Sequence, residues 1–201
     1  MSIALIDYGA GNLTSVRKGF LAAGAELVTP QHPSGLADAS GIVVPGVGHF
    51  GATSALTGDW RDAIVRRVEA GVPLFGICLG MQWLFEGSDE DGASHGLGVL
   101  AGRCARIEAE RPLKVPHVGW NRLQVLRPSV ILDGIADGTQ VYFTHTFAAP
   151  VTPNCVASSE HGDTFAAVVE RGQVAGVQFH PEKSGEAGLR MIRNFISMAR
   201  S

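Results

Sequence analysis

Pro73-Leu74-Phe75-Gly76-Ile77-Cys78-Leu79-Gly80-Met81-Gln82-Trp83-Leu84-Phe85-Glu86 passes from an unbroken apolar segment into a stretch of helix formers, with a cysteine between two glycines at the junction. An apolar run of this length reads as a strand buried on both faces, and the residues after Cys78 read as a helix. Gly-x-Cys-x-Gly in that setting is the thiol form of the nucleophile elbow, a tight turn that lifts a reactive atom above the carboxyl edge of a sheet. Flanking glycines are required because the turn leaves no room for neighbouring side chains. The same geometry places Cys78 at a helix N-terminus, where partial positive charge favours thiolate over thiol, and makes the Leu79 backbone N–H a donor to an oxyanion. Cys104 and Cys155 have no such flanks and read as ordinary buried thiols.

Upstream of the elbow, short apolar runs alternate with helical patterns, the signature of βαβ units on a largely parallel sheet. Strands are predicted over 3–6, 26–29, 41–44 and 73–77. One helix follows Asn12 as N-cap, with Leu13, Val16, Phe20 and Leu21 on its inner face and Gly24 as its stop. A second runs over 60–69 with Ile64, Val65 and Val68 inward. Downstream, a Gly/Ser/Asp-rich loop over 87–98 leads to strands predicted over 103–108, 121–126, 140–143, 155–158, 165–170 and 174–179. A last helix is marked by Leu189, Ile192, Phe195, Ile196 and Ala199. The fold class expected is α/β, a single domain over 1–201: an open, mostly parallel sheet flanked by helices, with additional antiparallel strands.

Composition agrees with that reading and removes several functions. A chain of 201 residues, 45% hydrophobic and 17% charged, can bury a sizeable core. Its 16 basic and 19 acidic residues give a net charge of −3, so no basic field would gather nucleic acid or an anionic membrane. The N-terminal segment lacks a basic region and meets Asp7 early, and no apolar run reaches the ~18 residues of a membrane span. A cytoplasmic location is expected. Three cysteines without CxxC spacing indicate neither a disulfide framework nor a zinc site.

A thiol nucleophile needs a histidine to take its proton and return it to the leaving group, and a third group to hold the imidazole. His180-Pro181-Glu182 supplies both. In extended backbone, enforced at His180 by Pro181, residues two apart face one side, so Glu182 approaches the imidazole. His145 at the end of another strand is a rival base without a nearby carboxylate. His49 and His117 have none either, and His161 has Asp163 only in a turn-like segment. Pro45-Gly46-Val47-Gly48 follows the third strand, and its glycines let a backbone amide approach a substrate oxygen or reverse direction. It is a simple βα turn or the second half of an oxyanion hole, and the elbow's need for a donor from a neighbouring loop favours the latter.

Together these residues resemble the class I, triad-type glutamine amidotransferases, and within them the glutaminase subunits of imidazole glycerol phosphate synthesis. The segments that carry the resemblance are Asp7-Tyr8-Gly9-Ala10-Gly11-Asn12-Leu13, Pro45-Gly46-Val47-Gly48 with Phe50, Gly76-Ile77-Cys78-Leu79-Gly80-Met81-Gln82, Val115-Pro116-His117-Val118-Gly119-Trp120-Asn121, Tyr142-Phe143-Thr144-His145 and Gln178-Phe179-His180-Pro181-Glu182-Lys183-Ser184. They span essentially the whole chain. The resemblance implies a triad of Cys78, His180 and Glu182 that forms a glutamyl thioester and releases ammonia from L-glutamine, without metal or organic cofactor. It implies an oxyanion hole from Val47, Gly48 and Leu79. Glutamine would be bound by Gly46 and Gln82 with backbone around Thr146 and Phe147, the last a position where the family often has tyrosine. A separate (β/α)8-barrel cyclase subunit would receive the ammonia and make imidazole glycerol phosphate in histidine biosynthesis, forming a heterodimer at Asn12, Trp120, Tyr142 and Lys183.

Other readings fit less of the chain. Gly9-x-Gly11 would begin a dinucleotide loop only if position 14 were glycine, and it is Thr14. A cysteine peptidase of related fold would keep the elbow but lack His-Pro-Glu. A non-catalytic relative would not need all three triad members. The glutaminase of pyridoxal phosphate synthesis is a rival that Pro-His-Val-Gly-Trp-Asn argues against.

Overall fold

A computed structural model describes residues 2–108, 110 and 113–200. Met1 and Ser201, the ends of the expected 1–201 domain, lie outside the described residues. Among the described residues fourteen strands and four α-helices are formed. The strands are β1 (Ile3–Leu5), β2 (Leu27–Val28), β3 (Gly41–Val44), β4 (Leu74–Ile77), β5 (Gly87–Ser88), β6 (Asp91–His95), β7 (Arg103–Arg106), β8 (His117–Arg122), β9 (Gln124–Val125), β10 (Gln140–His145), β11 (Phe147–Ala148), β12 (Cys155–His161), β13 (Asp163–Arg171) and β14 (Val174–Val177). The helices are α1 (Leu13–Ala22), α2 (Asp59–Glu69), α3 (Leu79–Trp83) and α4 (Gly185–Met198).

The main sheet has the order β2-β1-β3-β4-β14-β13-β12-β9. Its first five strands run parallel, and the last three continue it antiparallel. Strands β1, β3, β4 and β14 are buried throughout because both sheet faces are covered. Alternation sends Ile3, Leu5, Val43, Phe75 and Ile77 to the face packed by α1 and α4. Ala4, Ile6, Ile42, Val44 and Leu74 face α2 and α3. On the first face Phe195 stacks on Phe75 at 5.0 Å and meets Phe20 edge-on at 6.2 Å. Asn12 caps α1 as expected, its side chain accepting from Ser15 N at 3.1 Å.

Several boundaries differ from expectation. Leu21 is 60% exposed, because one residue beyond Phe20 turns about 100° away from the sheet. The helix after Cys78 ends at Trp83, where Leu84 and Phe85 make three-residue bonds to Met81 and Gln82. The Gly/Ser/Asp-rich segment expected as loop contains the β5–β6 hairpin. The strand expected over 121–126 starts earlier, at His117, breaks at Leu123 and resumes as β9. Strand β8 pairs with β10 in a separate antiparallel ribbon that puts Tyr142 opposite Trp120 and His145 opposite His117.

Candidate active site

Parallel pairing brings the elbow and the His-Pro-Glu segment to one sheet edge. Gly76 pairs with Gly176 and Ile77 with Val177, so both chains leave the carboxyl ends of β4 and β14 side by side. Cys78 has φ +53° and ψ −108°, and it is the one non-glycine with positive φ among the described residues. Such a backbone costs on the order of 1–3 kcal/mol and is held by its surroundings. Cys78 N donates to Val177 O at 2.8 Å. A Cβ on Gly76 would stand 2.7 Å from Gly80 O, and one on Gly80 would overlap the Val44 carbonyl. Both glycines are therefore steric requirements of the elbow.

His180 Nδ1 lies 2.9 Å from Glu182 Oε1, and both side chains are at most 3% exposed. The pairing forms by a different route from the extended one expected. His180 is extended, but Pro181–Lys183 is a 3-10 turn closed by Lys183 N to His180 O at 3.0 Å. That turn folds the carboxylate back onto the imidazole. Burial alone would pull His180 down, but the neighbouring Cys78 and Glu182 outweigh it and raise the imidazole to about 10. Its Nε2 is buried without a hydrogen-bond partner of good geometry.

The rival histidines are otherwise engaged. His145 Nδ1 is 3.0 Å from Phe147 O and its Nε2 is 3.0 Å from His117 Nδ1. A carbonyl only accepts, so His145 is protonated at Nδ1 and its Nε2 accepts from His117. Burial lowers His117 to about 3 and His145 to about 4. His49 accepts from Gly51 N, and His161 Nε2 lies 2.8 Å from Lys114 O. Burial pushes the Cys104 thiol up, and Cys155 up to about 11, which leaves both unreactive.

A cleft of about 340 Å³ opens over Cys78, lined by Val47, Gly48, Leu79, Gln82, Thr146 and Phe147 among others. Apart from Gly46, which borders a smaller cavity shared with His180 and Glu182, the expected oxyanion and glutamine-binding residues are thus adjacent, but several of their backbone groups are already paired, Thr146 O with Ile107 N at 2.9 Å among them. Leu79 N donates to Gly46 O at 3.3 Å. The Phe147 carbonyl accepts from Gln82 Nε2 at 2.8 Å as well as from His145. Gly46 itself is packed between Tyr8 and Leu79, where a Cβ would overlap the Tyr8 hydroxyl. Tyr8 Oη donates to Pro45 O at 2.7 Å, which ties down the start of the loop.

Sequence reasoning missed Gln178, whose Nε2 lies 3.6 Å from Cys78 Sγ, and Glu90, which lines the cleft and accepts from Phe50 N. Gln178 was legible in principle, since in extended backbone it shares a side with His180 two residues on. Three of the four residues expected at a partner face, Trp120, Tyr142 and Lys183, stand together. Trp120 is 56% exposed, meets Tyr142 edge-on at 6.1 Å, and Lys183 Nζ stands 5.9 Å over the Tyr142 ring. Asn12 borders a small cavity shared with His180 and Glu182. In the Gly9–Gly11 loop, Gly9 N donates to the Asp7 carboxylate at 3.1 Å, which puts a negative charge where a phosphate loop would present a free amide. Among the described residues no cluster of three metal-ligating side chains occurs, and no helix is long and apolar enough to cross a membrane.

The sequence that builds this elbow, His–Glu pair and sheet matches a family model. "Glutamine amidotransferase class-I" covers residues 4–199, and the chain belongs to that family. Within it, the chain is 46% identical to the imidazole glycerol phosphate synthase subunit HisH of Halobacterium salinarum, across 97% of this chain and 92% of that one. The HisH of Geobacillus kaustophilus is 45% identical, with 98% and 97% covered. Among solved structures, a glutamine amidotransferase superposes with TM-score 0.76 at 21% identity, covering 98% and 99%. PurLQS from Thermotoga maritima gives 0.76 at 19%, covering 98% and 97%. The chain is a glutamine amidotransferase with the α/β fold of its class.

Proposed function

We propose that this chain is the glutaminase subunit of an imidazole glycerol phosphate synthase, working as one domain in the cytoplasm. The observation that carries the proposal is the buried 2.9 Å contact between His180 and Glu182 beside a cysteine held in a strained elbow. The near-full-length similarity to HisH subunits names the pathway.

Cys78 Sγ, its proton passed to His180, attacks the side-chain carbonyl carbon of L-glutamine. The tetrahedral intermediate collapses with C–N cleavage as His180 returns the proton to the departing amine, giving ammonia and a glutamyl thioester. His180 then takes a proton from water, which attacks the thioester and frees glutamate and the thiol. Glu182 holds the imidazole and balances its charge. Leu79 and the Val47–Gly48 segment supply the oxyanion donors once the Gly46 carbonyl turns from Leu79. Gln82, through its oxygen, and the backbone at Gly46, Thr146 and Phe147 bind the glutamine. Ammonia passes to a (β/α)8-barrel cyclase subunit docked on Asn12, Trp120, Tyr142 and Lys183. No metal or organic cofactor takes part in these steps.

The test is Cys78→Ala assayed with the cyclase subunit. Glutamine-dependent synthesis is lost by more than about 1,000-fold while ammonia-dependent synthesis stays near wild type. Equal loss of both activities would sink the proposal.

A further inference from the structure

Two buried amides form a chain that ends on the reacting sulfur. The Phe147 carbonyl only accepts, so Gln82 must turn its nitrogen toward it, at 2.8 Å. The same nitrogen reaches Gln178 Oε1 at 3.1 Å. With its oxygen committed to Gln82, Gln178 presents its nitrogen on the opposite side, 3.6 Å from Cys78 Sγ. Reversing Gln82 would set its oxygen against the Phe147 carbonyl and Gln178 Oε1, and reversing Gln178 would set N–H against N–H and oxygen against sulfur, so the backbone carbonyl of Phe147 fixes both orientations. Gln178 is fully buried and Gln82 is 4% exposed, so water does not substitute for these bonds.

We infer that Gln178 is a further catalytic residue of this enzyme: its Nε2–H hydrogen-bonds the Cys78 sulfur, holds it toward the cleft and stabilises the thiolate. The inference rests on the reading of Cys78 as nucleophile. The thiolate is present before attack on glutamine and again when the thioester breaks, so Gln178 acts at both ends of the cycle. His180 receives and returns the proton, whereas Gln178 transfers none. Gln82 is a positioning residue for this contact, in addition to its place in the cleft.

The experiment is the rate of Cys78 alkylation by iodoacetamide against pH in the full chain, with Cys78→Ala as blank. Gln178→Met keeps the length of the side chain and removes the donor. Its alkylation profile moves to higher pH by about one unit, the size expected for losing one hydrogen bond to a charged group. Its kcat for glutamine falls roughly tenfold with KM within about twofold. Gln178→Glu keeps the volume. As an acid the new side chain still donates, and as a carboxylate it repels the thiolate, so the alkylation profile of this variant also moves to higher pH. A profile within about 0.2 unit of wild type in folded Gln178→Met overturns the inference. If that variant does not fold, the Gln178→Glu profile decides, and a wild-type profile there overturns it equally. Wild-type glutamine turnover by Cys78→Ala would instead overturn the nucleophile reading, a separate outcome.

Discussion

The backbone N–H of Leu79 donates to the carbonyl of Gly46 at 3.3 Å, so the amide expected to hold an oxyanion is occupied by the chain's own loop. The carbonyl that blocks it belongs to a glycine hemmed in by Tyr8 and Leu79 and followed, two residues on, by Gly48 at φ +102°. On the proposed mechanism, an oxyanion forming on the side-chain oxygen of glutamine needs that carbonyl to rotate away before the Leu79 N–H can reach it. One missing oxyanion donor costs about 100–1,000-fold in rate. The isolated chain is therefore expected to release glutamate from glutamine at least ~100-fold more slowly than when a ligand-bound cyclase subunit is added. Continuous glutamate assays with and without that subunit check this, and rapid turnover by the chain alone would refute it.

The His117–His145 pair makes stability depend on acid. Both imidazoles are held neutral in the fold, at about 3 and about 4, against an ordinary value of 6.5. A group with a lowered folded value binds more protons when unfolded. Its contribution is complete above pH ~6.5 and is lost as pH falls toward 4. Each group adds a slope of at most about 1.4 kcal/mol per pH unit in that window. Thermal denaturation between pH 7 and pH 4.5 should show a falling Tm, and a His117→Phe/His145→Leu variant should show a flatter one. His180 has the opposite sign: raised to about 10, its contribution is complete below 6.5 and is lost as pH rises through about 10.

Phe195 joins α4 to the sheet through its stack on Phe75 and its edge contact with Phe20. All three rings are fully buried. Phe195→Ala is expected to destabilise the fold by about 3–5 kcal/mol through lost burial and the cavity left behind. Urea unfolding measures it. A loss below about 1 kcal/mol would mean that α4 repacks over the gap.

Features set by local chemistry were legible in the sequence, and features set by topology were not. The elbow was readable because Gly76 and Gly80 are each excluded from carrying a Cβ by atoms of the turn or the adjoining strand. Helix α4 was readable from its apolar spacing and α1 from its Asn12 cap. The start of β8 was hidden by Pro116 and Gly119, which interrupt any alternating pattern, and the β5–β6 hairpin by its small polar residues. The contacts Gly46–Leu79, Gln82–Gln178 and Gln178–Cys78 join segments 33, 96 and 100 positions apart. Only the parallel registry of β3, β4 and β14 brings them together.

The left-handed backbone at Cys78 sets two demands on one residue. Glycine would fit that conformation at lower cost than any residue with a side chain, so folding alone favours a change that chemistry forbids. On the proposed role of Cys78, cysteine is kept there for the thiol that glutamine hydrolysis needs. A copy of this gene released from that duty would be free to drift to glycine at position 78 and become more robust as it lost its activity.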